Sequence, residues 1–304
     1  MKLRNLARIP CPSCAGRLLF DLFGSFGSVR WAGTVFRMER VEHMVDVDGG
    51  EVWAEEIGAG GGVAGGEVPL VLLHAAVGDS RLWDPVLPGL DGRYRVIRYD
   101  ARGYGRSPKP GATYTQVGDL RAVLEHFGVR RAVVVGTSAG GATAISFALE
   151  EPERVAALGL LVPGVRGGEG LESPELLEEI GRLAMAQDMD GLVQLSLRVW
   201  GAAGVAPDAL AAEALRSAIP AWFTTYGHDI PDPPVFERLG ELGMPCTLLL
   251  GEKDQPEVVR FNEAVADRIP GCRLVRHPGC DHFPTLRAPD DIARLIVELY
   301  AEAG

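Results

Sequence analysis

The chain has 304 residues, 47% of them hydrophobic and 23% charged, which excludes a wholly disordered protein and leaves room for one large α/β domain with an insertion. A formal net charge of −11 and an isoelectric point near 5.1 argue against nucleic acid or a membrane surface as partner, because both attract basic patches. No apolar run reaches membrane-spanning length, and five scattered cysteines fit the reduced thiols of a cytoplasmic protein better than a disulfide framework.

Residues 1–37 carry early basic groups (Lys2, Arg4, Arg8), but Asp21, Gly24, Ser25 and Gly27 interrupt the apolar ones, so the segment makes a poor signal peptide. Cys11-Pro12-Ser13-Cys14 has the spacing of half a zinc site, yet no second C-x-x-C or paired histidine follows nearby to complete it. The segment is expected to be a poorly ordered extension, with Met38 or Met44 as the natural start.

From residue 41 onward, strand and helix patterns alternate. Residues 41–47 and 51–57 read as two strands around the turn Asp48-Gly49-Gly50, and the glycine-rich run 58–66 reads as a surface loop. That run lacks the Lys-Ser or Lys-Thr of a phosphate loop. Strands are predicted at 69–73 and 94–99, and a helix at 114–127 with apolar residues at 117, 120, 123, 124 and 127. A strand at 132–135, a helix at 139–149 and a strand at 155–161 follow, then a largely helical stretch over 164–240. The last predicted elements are a strand at 246–250, a helix at 257–268, a strand at 273–276 and a helix at 290–303. Such alternation implies right-handed crossovers and a mostly parallel central sheet with helices on both faces, which binds ligands at the carboxyl ends of its strands.

The most informative stretch is Gly136-Thr137-Ser138-Ala139-Gly140, a G-x-S-x-G between a strand and a helix. Glycines permit the sharp turn, whose apex residue is held in a strained conformation that lifts the Ser138 hydroxyl above the sheet edge. The Ala139 N–H then lies at a helix N-terminus, where unpaired donors and the macrodipole favour a developing negative charge. Alone, the pentapeptide also fits a turn in which Ser138 merely caps the helix.

A serine hydroxyl needs a neighbouring base to become a good nucleophile. Of the six histidines, His282 in Gly279-Cys280-Asp281-His282-Phe283-Pro284 lies just beyond the last strand and can fold back over the sheet edge. Asp254, directly after the apolar strand 246–250, could fix the imidazole tautomer. It could equally cap the helix that begins near Pro256. Cys280 reads as a small buried hydrophobe rather than a second nucleophile.

The order Ser138, Asp254, His282 is the one expected for this geometry, and over roughly residues 40–304 the chain resembles the α/β-hydrolase fold family. His74-Ala75-Ala76-Val77-Gly78 looks like the family's His-Gly loop, and Asp100-Ala101-Arg102-Gly103-Tyr104-Gly105-Arg106-Ser107 matches its structural D-x-R-G-x-G-x-S loop. Residues 164–240 look like its helical cap, inserted in a core of 38–163 and 241–304. The resemblance implies Ser138 as nucleophile, His282 as general base, Asp254 as orienting acid, and the N–H groups of Ala76 and Ala139 as oxyanion hole. Ala75 stands where the family has glycine, and its methyl group disfavours a positive φ.

Serine at 138, where family members that dehalogenate or open epoxides use a carboxylate, favours a small ester or lactone. The same three residues also serve carbon–carbon hydrolysis or perhydrolysis in the family, and a ligand-binding member with a dead site is a third reading. Trp200 and Trp222, with Phe223 and Tyr226, could line an apolar acyl pocket or simply pack the cap. No metal or organic cofactor is implied, because the chain itself supplies nucleophile, base and oxyanion donors; a homodimer remains open.

Overall fold

The structure, a computed structural model, describes residues 29–31, 34–36, 39–58, 68–90, 92–168 and 173–303. The chain divides into two units, Met1–Arg37 and Met38–Gly304. In the first, β1 (Val29–Trp31) pairs antiparallel with β2 (Thr34–Phe36). The expectations for Cys11, Cys14 and the order of the extension, and for the glycine loop from residue 59 on, lie outside the described residues.

The second unit contains an eight-stranded sheet. Its strands are β3 (Arg40–Val47), β4 (Gly50–Ile57), β5 (Leu70–Leu73), β6 (Val96–Tyr99), β7 (Ala132–Thr137), β8 (Val155–Leu161), β9 (Cys246–Gly251) and β10 (Arg273–His277). They lie in the order β10-β9-β8-β7-β5-β6-β4-β3. The first six in that order run parallel, and the β3–β4 hairpin joins antiparallel through β4 against β6. This is the mostly parallel α/β architecture expected from the alternating pattern.

Every residue of β5, β6, β7, β8 and β9 is buried, which is why β5, β7, β8 and β9 read as largely apolar runs rather than alternating ones, while β6 buries Arg98. Alternate side chains feed two cores. Val71, Leu73, Val134 and Leu248 join the face covered by α1 (Gln116–His126), α2 (Ala139–Glu150) and α6 (Pro256–Arg268). Leu70, Leu72, Val133 and Val135 join the opposite face with Ile292, Ile296 and Leu299 of α7 (Pro289–Glu302), the last helix. Each fully buried Leu or Val contributes about 1.5–3 kcal/mol.

Two short 3-10 helices, Ser80–Trp83 and Leu87–Leu90, follow β5 without a periodic apolar signature. The first is held by side chains: Asp79 accepts from the Arg81 N–H and Asp100 from the Ser80 N–H. Asp100 belongs to the D-x-R-G-x-G-x-S loop, where Arg102 makes a buried two-pronged pair with Asp119 at 2.8 and 2.6 Å. A Cβ on Gly105 would sit 2.3 Å from the Asp100 carboxylate, so that close approach requires glycine.

Among the described residues between β8 and β9, three α-helices, α3 (Pro174–Met185), α4 (Met189–Trp200) and α5 (Ala209–Thr224), are capped by Ser173, Asp188 and Asp208. Leu192, Val193, Leu215 and Ile219 from these helices share a buried cluster with Ala75, Val77, Leu82 and Phe283. The helical insertion therefore packs against the loops at the carboxyl ends of the strands. Residues 225–235 are not helical; there Tyr114 pairs with Asp229 in a single bridge.

Candidate active site

Ser138 is the single residue between β7 and α2, with φ 50° and ψ −113°. A non-glycine residue at positive φ costs on the order of 1–3 kcal/mol and persists only where its surroundings impose it. Here the Ser138 N–H donates to Leu161 O on β8, and its carbonyl accepts from the Ala142 and Gly164 N–H groups, each at 3.0 Å. A Cβ on Gly136 would lie 2.3 Å from the Gly140 carbonyl oxygen, and one on Gly140 2.6 Å from that of Leu73. The two glycines flanking the serine thus allow strand and helix backbones to touch. The Ser138 side chain makes no cap bond to α2.

Its hydroxyl meets His282 instead: Ser138 Oγ lies 2.8 Å from His282 Nε2. On the far side of the ring, His282 Nδ1 is 2.6 Å from Asp254 Oδ2. Asp254 and His282 are brought together by the adjacency of parallel β9 and β10. The Glu252 N–H donates to His277 O at 3.0 Å and the Lys253 N–H to Cys280 O at 2.9 Å, stitching the loop that carries Asp254 to the loop that carries His282. A Cβ on Gly251 would collide with Cys280 O at 2.5 Å. Asp254 does not cap α6 with its side chain; its second oxygen accepts the neighbouring Gln255 N–H at 2.8 Å. Both Asp254 and His282 are buried, so their electrostatic contact is only weakly screened.

Nearby, Cys280 is fully buried, and burial pushes its thiol up to about 12, so it stays an unreactive thiol. Four of the other five histidines are engaged elsewhere. His43 and His126 approach each other at 3.3 Å, and His277 pairs with Asp291 at 3.0 Å. His74 accepts the Ala101 N–H at Nε2 and therefore donates from Nδ1 to Ala75 O, at 3.0 and 2.8 Å.

His74 orders the loop in which Ala76 follows β5. Ala75 is not among the positive-φ residues; its methyl group packs into the cluster shared with Val77, Leu82 and Phe283. Among the described residues, neither the Ala76 nor the Ala139 N–H donates a hydrogen bond. Both residues line a cavity of about 220 Å³, together with Leu73, His74, Tyr99, Ala101, Tyr104 and Gly140. Among the described residues, no group of three or more His, Cys, Asp or Glu side chains is arranged to hold a metal ion.

The four cap aromatics separate into two pairs. Trp200 lies with its ring 6.4 Å from His282 and in a T-shaped contact with Trp222 at 5.9 Å. Trp222 also donates its indole N–H to Ala76 O at 2.7 Å. Neither lines the cavity, and Phe223 and Tyr226 are exposed. The cavity walls come instead from the sheet edge, and from Gln116, Arg166, Thr225 and Asp229. Sequence patterning missed Arg166 and Asp229, which stand far apart in the chain in segments without periodicity. It also missed the anchoring of the His282 loop by Asp281, which accepts from the Ala203 N–H at 2.8 Å and pairs with Arg287 at 3.0 Å.

The described helices include none long and apolar enough to cross a membrane. A family model, that of the alpha/beta hydrolase family, matches residues 70–295. An uncharacterized protein of Mycobacterium bovis is 26% identical over 262 residues, covering 77% of this chain and 74% of that protein. Among solved structures, the enol-lactonase from Burkholderia xenovorans LB400 is similar with a TM-score of 0.71 and 22% identity, over 86% of this chain and 100% of its own. An esterase from Rhodococcus sp. ECU1013 is similar with a TM-score of 0.69 and 24% identity, over 88% and 99%. The two structural likenesses concern the fold, while the family match spans well over half of the chain; with the same sheet and a strained serine at its strand–helix elbow, this chain belongs to the alpha/beta hydrolase family.

Proposed function

We propose that the protein is a serine hydrolase that cleaves a small carboxylic ester or lactone through an acyl-enzyme on Ser138. One observation carries the reading: the unbroken hydrogen-bonded chain from Ser138 Oγ through His282 to Asp254, at 2.8 and 2.6 Å. With Nδ1–H donating to Asp254, His282 keeps Nε2 as an acceptor for the serine proton. Ser138 Oγ attacks the acyl carbon as that proton moves to Nε2, and the resulting oxyanion accepts from the Ala76 and Ala139 N–H groups. His282 then protonates the departing alkoxide, and a water activated by the same imidazole hydrolyses the acyl-enzyme. The two N–H donors act where charge develops, and losing one such donor typically costs about 10²–10³ in kcat.

In this reading α3–α5 form a cap over the site, with Trp200 and Trp222 as its contacts to His282 and Ala76. We assign the protein to the cytoplasm, on the free state of Cys246, Cys272 and Cys280.

Mass spectrometry after incubation with a fluorophosphonate tests the proposal. The expected result is one adduct that maps to Ser138 and is abolished by His282→Ala, together with turnover in an ester and lactone panel that disappears in Ser138→Ala. Folded protein that neither labels nor turns over any ester would instead be a binding protein built on the same fold.

A further inference from the structure

The cavity beside Ala76 and Ala139 is apolar along the sheet edge but carries a cation and an anion, Arg166 and Asp229, with Gln116 beside them. Arg166 belongs to the segment that leaves β8 for the helical insertion, and Asp229 to the segment that returns from it. Among the described residues, the Arg166 side chain makes no hydrogen bond; it forms an ion pair with Asp229 Oδ2 at 3.9 Å, and its Nε is buried without a partner. Asp229 Oδ1 is likewise buried and unpartnered, and Oδ2 has, besides the Arg166 ion pair, a long contact of 3.4 Å from Gln116 Nε2.

Their backbones, by contrast, are pinned. Arg166 O accepts from both the Val235 and Phe236 N–H groups, at 2.8 and 3.1 Å. On either side of Asp229, His228 O accepts from the Tyr114 N–H and the Ile230 N–H donates to Tyr114 O, at 2.9 and 2.8 Å. Charged head groups with unfilled hydrogen-bonding capacity, on a fixed backbone, are what a preorganised recognition site requires. Both side chains are part exposed, but Arg166 Nε and Asp229 Oδ1 are buried, and natural proteins pair nearly all buried polar atoms.

We propose that this part of the cavity receives an acyl chain bearing a neutral group that both donates and accepts hydrogen bonds, an amide or a hydroxyl, rather than a plain alkyl tail or a carboxylate. The inference rests on Ser138 being the acylated residue. A carbonyl or hydroxyl oxygen accepts from the Arg166 guanidinium, and the N–H or O–H of the same group donates to Asp229. An alkyl tail satisfies neither side chain. A carboxylate suits Arg166 but meets Asp229, and also Asp232, whose carboxylate interacts with the same arginine. A site built to hydrogen-bond one group discriminates strongly against analogues that lack it.

The test uses methyl esters of matched acyl chains ending in a primary amide, a methyl group or a carboxylate, in several lengths, with acid release followed in a pH-stat. The amide-ended ester is expected to exceed the alkyl one in kcat/KM by at least about tenfold. That ratio should collapse towards one in Arg166→Leu and in Asp229→Leu. A wild-type preference for alkyl or carboxylate ends, or a ratio that both substitutions leave intact, overturns the proposal. If no ester is turned over, the acyl-enzyme reading fails separately. Calorimetric binding of the same esters to Ser138→Ala then decides the matter: selective binding of the amide-ended ester, lost in the Arg166→Leu background, supports the site, and absence of that selectivity overturns it.

Discussion

Trp222 donates its indole N–H to the carbonyl oxygen of Ala76 at 2.7 Å, so a residue of α5 holds the loop whose Ala76 N–H, like that of Ala139, is unpaired at the cavity wall. The bond ties the helical insertion to the loop after β5. Trp222→Phe keeps an aromatic ring for Trp200 to pack against but removes the donor. We expect kcat for a good ester to fall about tenfold with little change in KM, the size of one lost hydrogen bond acting on geometry. Unchanged kcat would remove Trp222 from any positioning role.

Asp254 is placed to hold the His282 tautomer, because its Oδ2 reaches only Nδ1. Asp254→Asn presents an amide of the same shape that can favour the wrong tautomer. A loss of about 10³–10⁴ in kcat is expected, with the melting temperature close to the parent's. A loss of less than tenfold would mean that another group orients the imidazole.

At Gly136, an added Cβ would meet Gly140 O at 2.3 Å and Gly141 N at 2.7 Å, both backbone atoms that cannot step aside. Gly136→Ala should therefore destabilise the fold by about 2–4 kcal/mol. Gly243 offers the matching control: nothing lies within 4 Å of its Cβ position, so Gly243→Ala should be neutral or slightly stabilising. Urea unfolding of the two variants side by side checks the contrast.

Burial pushes the Asp232 carboxyl up to about 6 from its ordinary 3.8, against the opposing pull of Arg166. A raised acid binds its proton more tightly in the folded chain than in the unfolded one. Stability is therefore lost as pH rises from about 4 through 6, and the penalty is complete above that. Asp232→Asn should stabilise the protein by about 1–2 kcal/mol at pH 8 and by almost nothing at pH 4. Equal gains at both values would mean that ionisation is not the cause.

Much of this architecture was legible because its determinants are local. The apolar runs of β5, β7, β8 and β9 identify buried strands, and the glycines on either side of Ser138 identify a turn that only they permit. Asp254 and His282 could be singled out because each follows a strand end. The 3-10 helices after β5 were not legible, because Asp79 and Asp100 side chains hold them and periodicity does not. For the cap tryptophans the sequence leaves pocket lining and cap packing open, since an aromatic residue in a sequence announces apolar surface and not which carbonyl its N–H will find. Arg166 and Asp229 carried no signal at all: a charged residue in a connecting segment looks like any solvated one.

The amino-acid order by itself determined which segments become buried strands and helices, and which serine sits on a strained elbow, because steric exclusion and apolar periodicity act over a few residues. Tertiary structure alone decided that His282 Nε2 stands 2.8 Å from Ser138, that Trp222 grips Ala76, and that Arg166 and Asp229 share one cavity. Those relationships join residues far apart in the chain, and they depend on register, rotamer and packing in three dimensions, which no local pattern encodes.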